Sequence, residues 1–133
     1  MLLDRSPTPA RPCAQVLALM VAANGRIDDR ELQALDRLDA YRRLGVTRDE
    51  LVGMARGCLD TLGAGLGQLS RIDARRGAYI DGLLDAVREP RERLVVARLG
   101  AAAIVADGRI TNDERMVYAR VLMTWHITQN MVS

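Results

Sequence analysis

The sequence predicts an all-α fold, a compact bundle of about six to seven helices with an internal pseudo-twofold helix-turn-helix repeat. Apolar residues recur at helical spacing along most of the chain, and no segment combines sustained alternation with β-branched or aromatic enrichment. Two similar turns, ANGRI and ADGRI, each follow an apolar segment. A chain of 133 residues is long enough for one core and short for two. We expect a flexible tail at 1–11, a single helical domain at 12–127, and a tail or short turn at 128–133.

The first predicted helix spans 13–23, where apolar residues occupy nearly every side, as in a buried helix. Gly25 supplies the positive φ that commonly ends a helix. Asp28 and Glu31 follow with the spacing of a capping box, in which each side chain accepts a hydrogen bond from the other residue's backbone N–H. This pair predicts the start of a second helix.

The second predicted helix continues without a break until Gly45. Its apolar stripe consists of Leu32, Leu35, Leu38 and Leu44. Thr47 and Glu50 have the spacing of another capping box, so a third helix is expected from there to about Leu62. The glycine-rich segment 63–70 is interpreted as helix punctuation, because no strand precedes it and no Gly-Lys-Ser/Thr follows, as a phosphate-binding loop requires.

A fourth helix is expected over about 71–88, followed by a fifth that begins at Pro90, a residue suited to a first helical turn. The fifth helix contains the apolar segment 94–106, in which Gly100 and the alanines after it would let another helix approach closely. Like the first helix, it is nearly all apolar. We therefore expect these two helices to form the centre of the bundle.

The sixth predicted helix begins at a third capping box, formed by Thr111 and Glu114, and ends near His126. Its context repeats the start of the chain, because residues 18–38 align with 101–121 and share the Gly-Arg-Ile triplet and the glutamate that follows it. Each copy contains a buried helix, a glycine turn, a helix start and an amphipathic helix. This order predicts the pseudo-twofold repeat.

Composition and charge limit the class of protein. The net charge of +2 is too weak to indicate a nucleic-acid partner, for which a clustered basic face is expected. Cys13 and Cys58 lie within apolar helical patterns and are expected to be buried free thiols in a reducing cytoplasm. Neither a signal peptide nor a membrane-spanning segment is indicated, and a cytoplasmic location is expected.

The repeated turn resembles the second half of an EF-hand loop, with Asp107 and Glu114 at two ligand positions. Ala103 and Val105 stand where the first two acidic ligands belong, so an EF-hand is rejected. Most residues of the turn have a structural explanation: the glycine ends one helix, the isoleucine is expected to contact the core, and the glutamate caps the next helix. Asp107 is the exception, because a carboxylate in the last turn of a helix faces the negative end of its dipole, at a cost of about 0.3–1 kcal/mol.

Two compensations for Asp107 remain open at this point: pairing with Arg109, or a cation shared with Asp113 and Glu114. Hard divalent cations prefer such clusters of oxygen ligands. In the first turn, the corresponding side chains are Asn24, Asp28, Asp29 and Glu31. Structural turn chemistry and a cation site are therefore both compatible with the spacing.

The paired motif Ala-Asp/Asn-Gly-Arg-Ile-x-x-x-Glu resembles the tellurite-resistance TerB-like family, and the resemblance covers about residues 12–127. It implies a bundle of about seven helices, a role in resistance to tellurite and other chemical stress, and divalent metal ions bound at the two turns. The implied metal positions are Asp28, Glu31, Asp107, Asp113 and Glu114. This chain departs from the family pattern at Asn24, where aspartate is usual, and at the uncharged Thr111 and Asn112.

The leading hypothesis is therefore a non-enzymatic domain that binds a divalent cation through its acidic turns. The alternative is a protein-interaction module with purely structural turns. Its candidate contact surfaces are the face of the fourth helix with Arg71, Arg75 and Arg76, and the end of the sixth helix at Trp125 and His126. Because TerB-like domains also occur beside a membrane-anchored DnaJ-like co-chaperone, the resemblance implies a protein partner that could be membrane-associated. No catalytic residue is expected, since His126 is the only histidine and no nucleophile stands in a recognisable setting.

Overall fold

A computed structural model of the chain describes residues 10–23, 25–62, 73–106, 108 and 110–132. These described ranges contain helices and no strand, which confirms the predicted all-α class. Their eight helices are α1 Ala10–Ala22, α2 Asp29–Arg37, α3 Ala40–Arg43, α4 Arg48–Leu62, α5 Ala74–Asp85, α6 Pro90–Val105, α7 Asn112–Trp125 and α8 Gln129–Val132. None of the helices in this part of the chain is long and apolar enough to span a membrane.

Helix α1 forms the centre of the bundle. Every residue of 13–23 except Gln15 is at most 2% exposed, and the helix packs mainly against α4 and α6. The helix begins at Ala10, before the expected start, and Pro12 lies in its first turn, where the missing N–H leaves no hydrogen bond unmade. The predicted burial of this helix is confirmed.

Helix α6 crosses α1 closely at Gly100. A Cβ atom added to Gly100 would overlap the thioether of Met20, so the glycine leaves room for this side chain between the two helices. Helix α6 also packs against α2 and α7. Unlike α1, helix α6 has one face exposed to solvent, which includes Arg98 and Val105.

The predicted second helix is broken in two, so its expected continuity is wrong. Helix α2 ends at Arg37, and Asp39 adopts the left-handed conformation (φ 59°, ψ 32°) before α3 begins at Ala40. Aspartate enters this conformation more readily than most residues, because its short side chain bonds locally. As a result, Leu38 is 41% exposed instead of lying in the apolar stripe, whereas Leu44 remains in the core.

The other helix starts agree more closely with the sequence. The capping box of α4 is present, with the Thr47 N–H donating to Glu50 Oε1 at 2.8 Å and the Glu50 N–H donating to Thr47 Oγ1 at 3.1 Å. Helix α6 has the expected proline in its first turn. Helix α5 starts later than predicted, and Asp73 caps it by accepting from the backbone N–H of Arg76. Both cysteines are buried, as predicted, and neither forms a disulfide within the described residues.

Candidate cation site at the second helical turn

The first turn joins α1 to α2. Gly25 has φ 88° and donates its N–H to the carbonyl of Ala22 at 3.0 Å, so it ends α1 as predicted. Ile27 is half-buried against the core. Asp28 caps α2, but it accepts from the N–H of Arg30 at 2.8 Å, which differs from the predicted capping-box geometry with Glu31.

The second turn joins α6 to α7. Gly108 has φ 79° and donates its N–H to the carbonyl of Val105 at 3.1 Å. The predicted capping box is present: the Thr111 N–H donates to Glu114 Oε1 at 2.9 Å, and the Glu114 N–H donates to Thr111 Oγ1 at 3.2 Å. Ile110 is 44% exposed, so the expected contact of this isoleucine with the core is wrong.

Two adjacent carboxylates are buried at the start of α7. Glu114 is fully buried and Asp113 is 7% exposed. Glu114 Oε2 and Asp113 Oδ1 have no hydrogen-bond partner within the described residues. Burial, and secondarily the negative charge of Glu114, raises the pKa of the Asp113 carboxyl above its ordinary value. The cap therefore satisfies only one of the two Glu114 oxygens.

The capping box of α4 offers an internal comparison. Glu50 forms the same two bonds to Thr47 that Glu114 forms to Thr111, yet Glu50 is exposed to water. Helix capping therefore does not require a buried glutamate. The burial of Glu114 is an additional feature of the second turn, and it needs an additional explanation.

The described carboxylates of the two turns do not form one shared cluster. Glu31 is also fully buried, and Asp28 is 15% exposed and lies 3.8 Å from Arg26. No group of three or more histidine, cysteine, aspartate or glutamate side chains is positioned for a metal ion in the described ranges. Asp107, the third predicted residue of the second turn, lies outside those ranges, as do Asn24 and Arg109.

The predicted arginine face on the fourth helix is described in part. Arg75 is exposed to solvent. Arg76 has a structural role, because its Nε donates to the carbonyl of Leu62 at 2.6 Å and its guanidinium pairs with Asp73. It thereby ties the start of α5 to the end of α4. Arg71 lies outside the described residues.

The sequence reasoning missed the burial of Glu31 and Glu114, because capping alone explained their spacing. A signal was available for Glu114. It precedes the buried residues Val117 and Val121 by three and seven positions, which puts it on their side of α7. A glutamate in register with a buried stripe is unusual, since charged residues are almost never fully buried unless paired.

Comparisons with known proteins complete this description. No protein family, curated protein or solved structure shows a significant match to this chain.

Proposed function

We propose that this protein is a non-enzymatic, TerB-like domain that binds a divalent cation at the turn between α6 and α7. The observation that carries the proposal is the buried Oε2 of Glu114, which has no partner among the described residues and belongs to a carboxylate next to buried Asp113. The proposed ligands are Asp107, Asp113 and Glu114. The proposed setting is a response to chemical stress of the tellurite-resistance kind.

Electrostatics supports a cation at this turn. Burying an ionised carboxylate is costly unless it is paired, hydrogen-bonded or bound to a metal. The α7 N-terminus offsets part of the cost, since an acidic group in the first turn gains about 0.3–1 kcal/mol from the helix dipole. A second buried carboxyl beside Glu114 adds repulsion, as the raised pKa of Asp113 indicates. A divalent cation would remove both penalties and supply the missing partner of Oε2.

The two turns are proposed to be diverged copies of one duplicated unit. Both follow a helix of the central pair, both contain a glycine with positive φ, and both precede a fully buried glutamate. They differ at the cap, which is Asp28 in the first turn and Thr111 in the second. In the first copy, Asp28 and Glu31 remain the implied ligands. The second copy is the stronger candidate, because Oε2 of its buried glutamate, Glu114, has no hydrogen-bond partner within the described residues.

A thermal unfolding titration tests the proposal. Ca²⁺, Mg²⁺, Mn²⁺ and Zn²⁺ are added to the metal-free protein, to Glu114→Gln and to Asp107→Asn. At least one ion should raise the Tm of the wild type, and both substitutions should remove that rise. Glu50→Gln is the matched control, because it changes the same position of an exposed capping box and should keep the rise. The proposal would be refuted if no ion raised the Tm of the wild type, or if the ion raised the Tm of Glu114→Gln by the same amount.

A specific observation favours the second candidate function, a protein-interaction module. Two apolar side chains flanking the second turn are exposed, Val105 at 55% and Ile110 at 44%. A partner that covered both side chains would remove their apolar surface from water. A partner identified by cross-linking should be lost in Ile110→Ser and retained in Met123→Ser, a control on α7 that is 75% exposed. Retention in both variants would argue against this surface.

A further inference from the structure

A second feature with the properties of a binding site lies at the opposite ends of α1 and α6 from the two turns. A cavity of about 350 Å³ opens where the first turns of α1 and α6 meet the end of α3. Its lining residues are Cys13, Arg43, Leu44, Arg91, Glu92 and Val95. The volume falls within the range of small-molecule sites, roughly 300–1,000 Å³.

The inner wall of this cavity is apolar and uncharged. Cys13 is 2% exposed, Leu44 is 4% exposed, and Val95 is half-buried. Burial, with a smaller contribution from the negative charge of Glu92, raises the pKa of the Cys13 thiol to about 11. The thiol is therefore neutral near pH 7 and adds to the apolar wall, as a buried cysteine commonly does.

Two exposed arginines, Arg43 and Arg91, lie at the mouth of the cavity. Arg43 and Arg91 are exposed, and within the described residues neither has an ion pair or a side-chain hydrogen bond. The neighbouring Arg42 differs, because it pairs with Asp39 at 2.7 Å. A guanidinium presents a planar fork of donors that matches a carboxylate. Two unpaired guanidinium groups beside an apolar cavity favour a ligand with an anionic head and an apolar tail.

We propose that this cavity binds a free acyl carboxylate of medium chain length, with the chain in the apolar part and the carboxylate at Arg43 and Arg91. A volume of about 350 Å³ lies at the lower end of the range of small-molecule sites, roughly 300–1,000 Å³, which favours a short ligand such as octanoate. Glu92 at the same mouth opposes a dianionic head such as a phosphate monoester. This proposal is independent of the cation site, since it uses none of the same residues.

The test is a calorimetric titration with three probes: octanoate, octylammonium and acetate. Octanoate should bind, octylammonium should bind at least about tenfold more weakly, and acetate should show no binding, because the site needs both the chain and the negative head. Equal binding of octanoate and octylammonium, or no binding of octanoate, would overturn the proposal. Octyl phosphate carries a phosphate monoester on the same eight-carbon chain. Tighter binding of octyl phosphate than of octanoate would refute the assignment to a carboxylate.

Paired variants locate the site. Arg43→Gln/Arg91→Gln should weaken octanoate binding about tenfold or more, whereas Arg37→Gln/Arg56→Gln removes two other exposed arginines and should leave it unchanged. A second readout does not depend on these substitutions. Bound octanoate should shift the NMR signals of Cys13 and Val95 in the wild type, while those of Cys58, which is fully buried elsewhere in the core, serve as the internal reference. Octanoate binding that leaves the Cys13 and Val95 signals unchanged would contradict the assigned cavity.

Discussion

The backbone N–H of Thr111 donates to Oε1 of Glu114 at 2.9 Å, while the other oxygen of the same carboxylate is buried without a partner in the described part of the chain. One side chain thus completes a helix cap and still leaves a charged acceptor unsatisfied. A native structure keeps few such groups, and each calls for an explanation such as an ion or a functional role. A bound cation would supply the partner that this oxygen lacks.

Without metal, Glu114→Gln should stabilise the protein. The amide oxygen can keep the bond from the Thr111 N–H, while the buried negative charge is removed, so the free energy of unfolding should rise by about 1 kcal/mol or more. Urea unfolding in the presence of a chelator measures the change. Glu50→Gln, in the exposed capping box, should have little effect. A metal-free Glu114→Gln that is less stable than the wild type would contradict the claim that the buried charge is unfavourable.

The burial of Asp113 predicts a pH dependence of the metal-free protein. The pKa of this carboxyl is raised in the folded state, so between its ordinary pKa of 3.8 and the raised value the folded chain holds a proton that the unfolded chain has lost. Stability should therefore fall as pH rises through this window and level off above it. Asp113→Asn should lack that fall. Urea unfolding of both proteins from pH 3 upward checks this, and parallel curves would count against it.

The ion pair between α5 and α7 predicts a pH dependence of the opposite sign. Arg120 donates to both oxygens of Asp81 at 2.9 Å, and this hydrogen bonding lowers the pKa of the Asp81 carboxyl. Its stabilisation is present above pH 3.8 and is lost as pH falls through the lowered pKa. Because both side chains are about a third exposed or more, Asp81→Asn should cost at most about 1 kcal/mol at pH 7.

The exposed Asp85 on the same helix provides the control for this pair. Asp85→Asn should leave the free energy of unfolding nearly unchanged at pH 7. If Asp81→Asn and Asp85→Asn behave alike at every pH, the ion pair contributes nothing to stability.

The crossing of α1 and α6 predicts that two glycine substitutions differ in their effect. Gly100→Ala should destabilise the fold by about 1 kcal/mol, because the new Cβ would displace the end of the buried Met20 side chain. Gly57→Ala is the matched control on α4, where a Cβ would contact nothing within 4 Å. It should instead stabilise its helix by roughly 0.5–1 kcal/mol. Similar changes in the thermal unfolding of both variants would refute the close helix crossing.

Much of the fold could be predicted from the sequence, because local signals and burial agree there. The apolar residues of 13–23, the proline at the start of α6 and the capping boxes at Thr47 and Thr111 each determine one local feature. The second helix was predicted without its break, since nothing in an apolar stripe shows that Asp39 leaves the helical conformation. The break at Asp39 accompanies the burial of Ala40 and Leu44 in the core, which is a tertiary contact.

The candidate site was predicted only in outline. Spacing identified Glu114 as a capping residue, but its complete burial depends on the helices packed around α7, which the sequence alone does not specify. The same limit applies to Ile110, whose match to Ile27 suggested a core contact that only Ile27 makes. Repeated motifs thus predict similar backbones more reliably than similar side-chain environments.

Direct binding of Mn²⁺, followed by electron paramagnetic resonance of the free ion, is the most direct test of the cation site. The wild type should bind one equivalent tightly at the second turn, and Glu114→Gln and Asp107→Asn should each lose it while Glu50→Gln retains it. Binding should also weaken as the pH falls, because the ligands must be deprotonated. A wild type that leaves all Mn²⁺ free, or a Glu114→Gln variant that binds as the wild type does, would contradict the account.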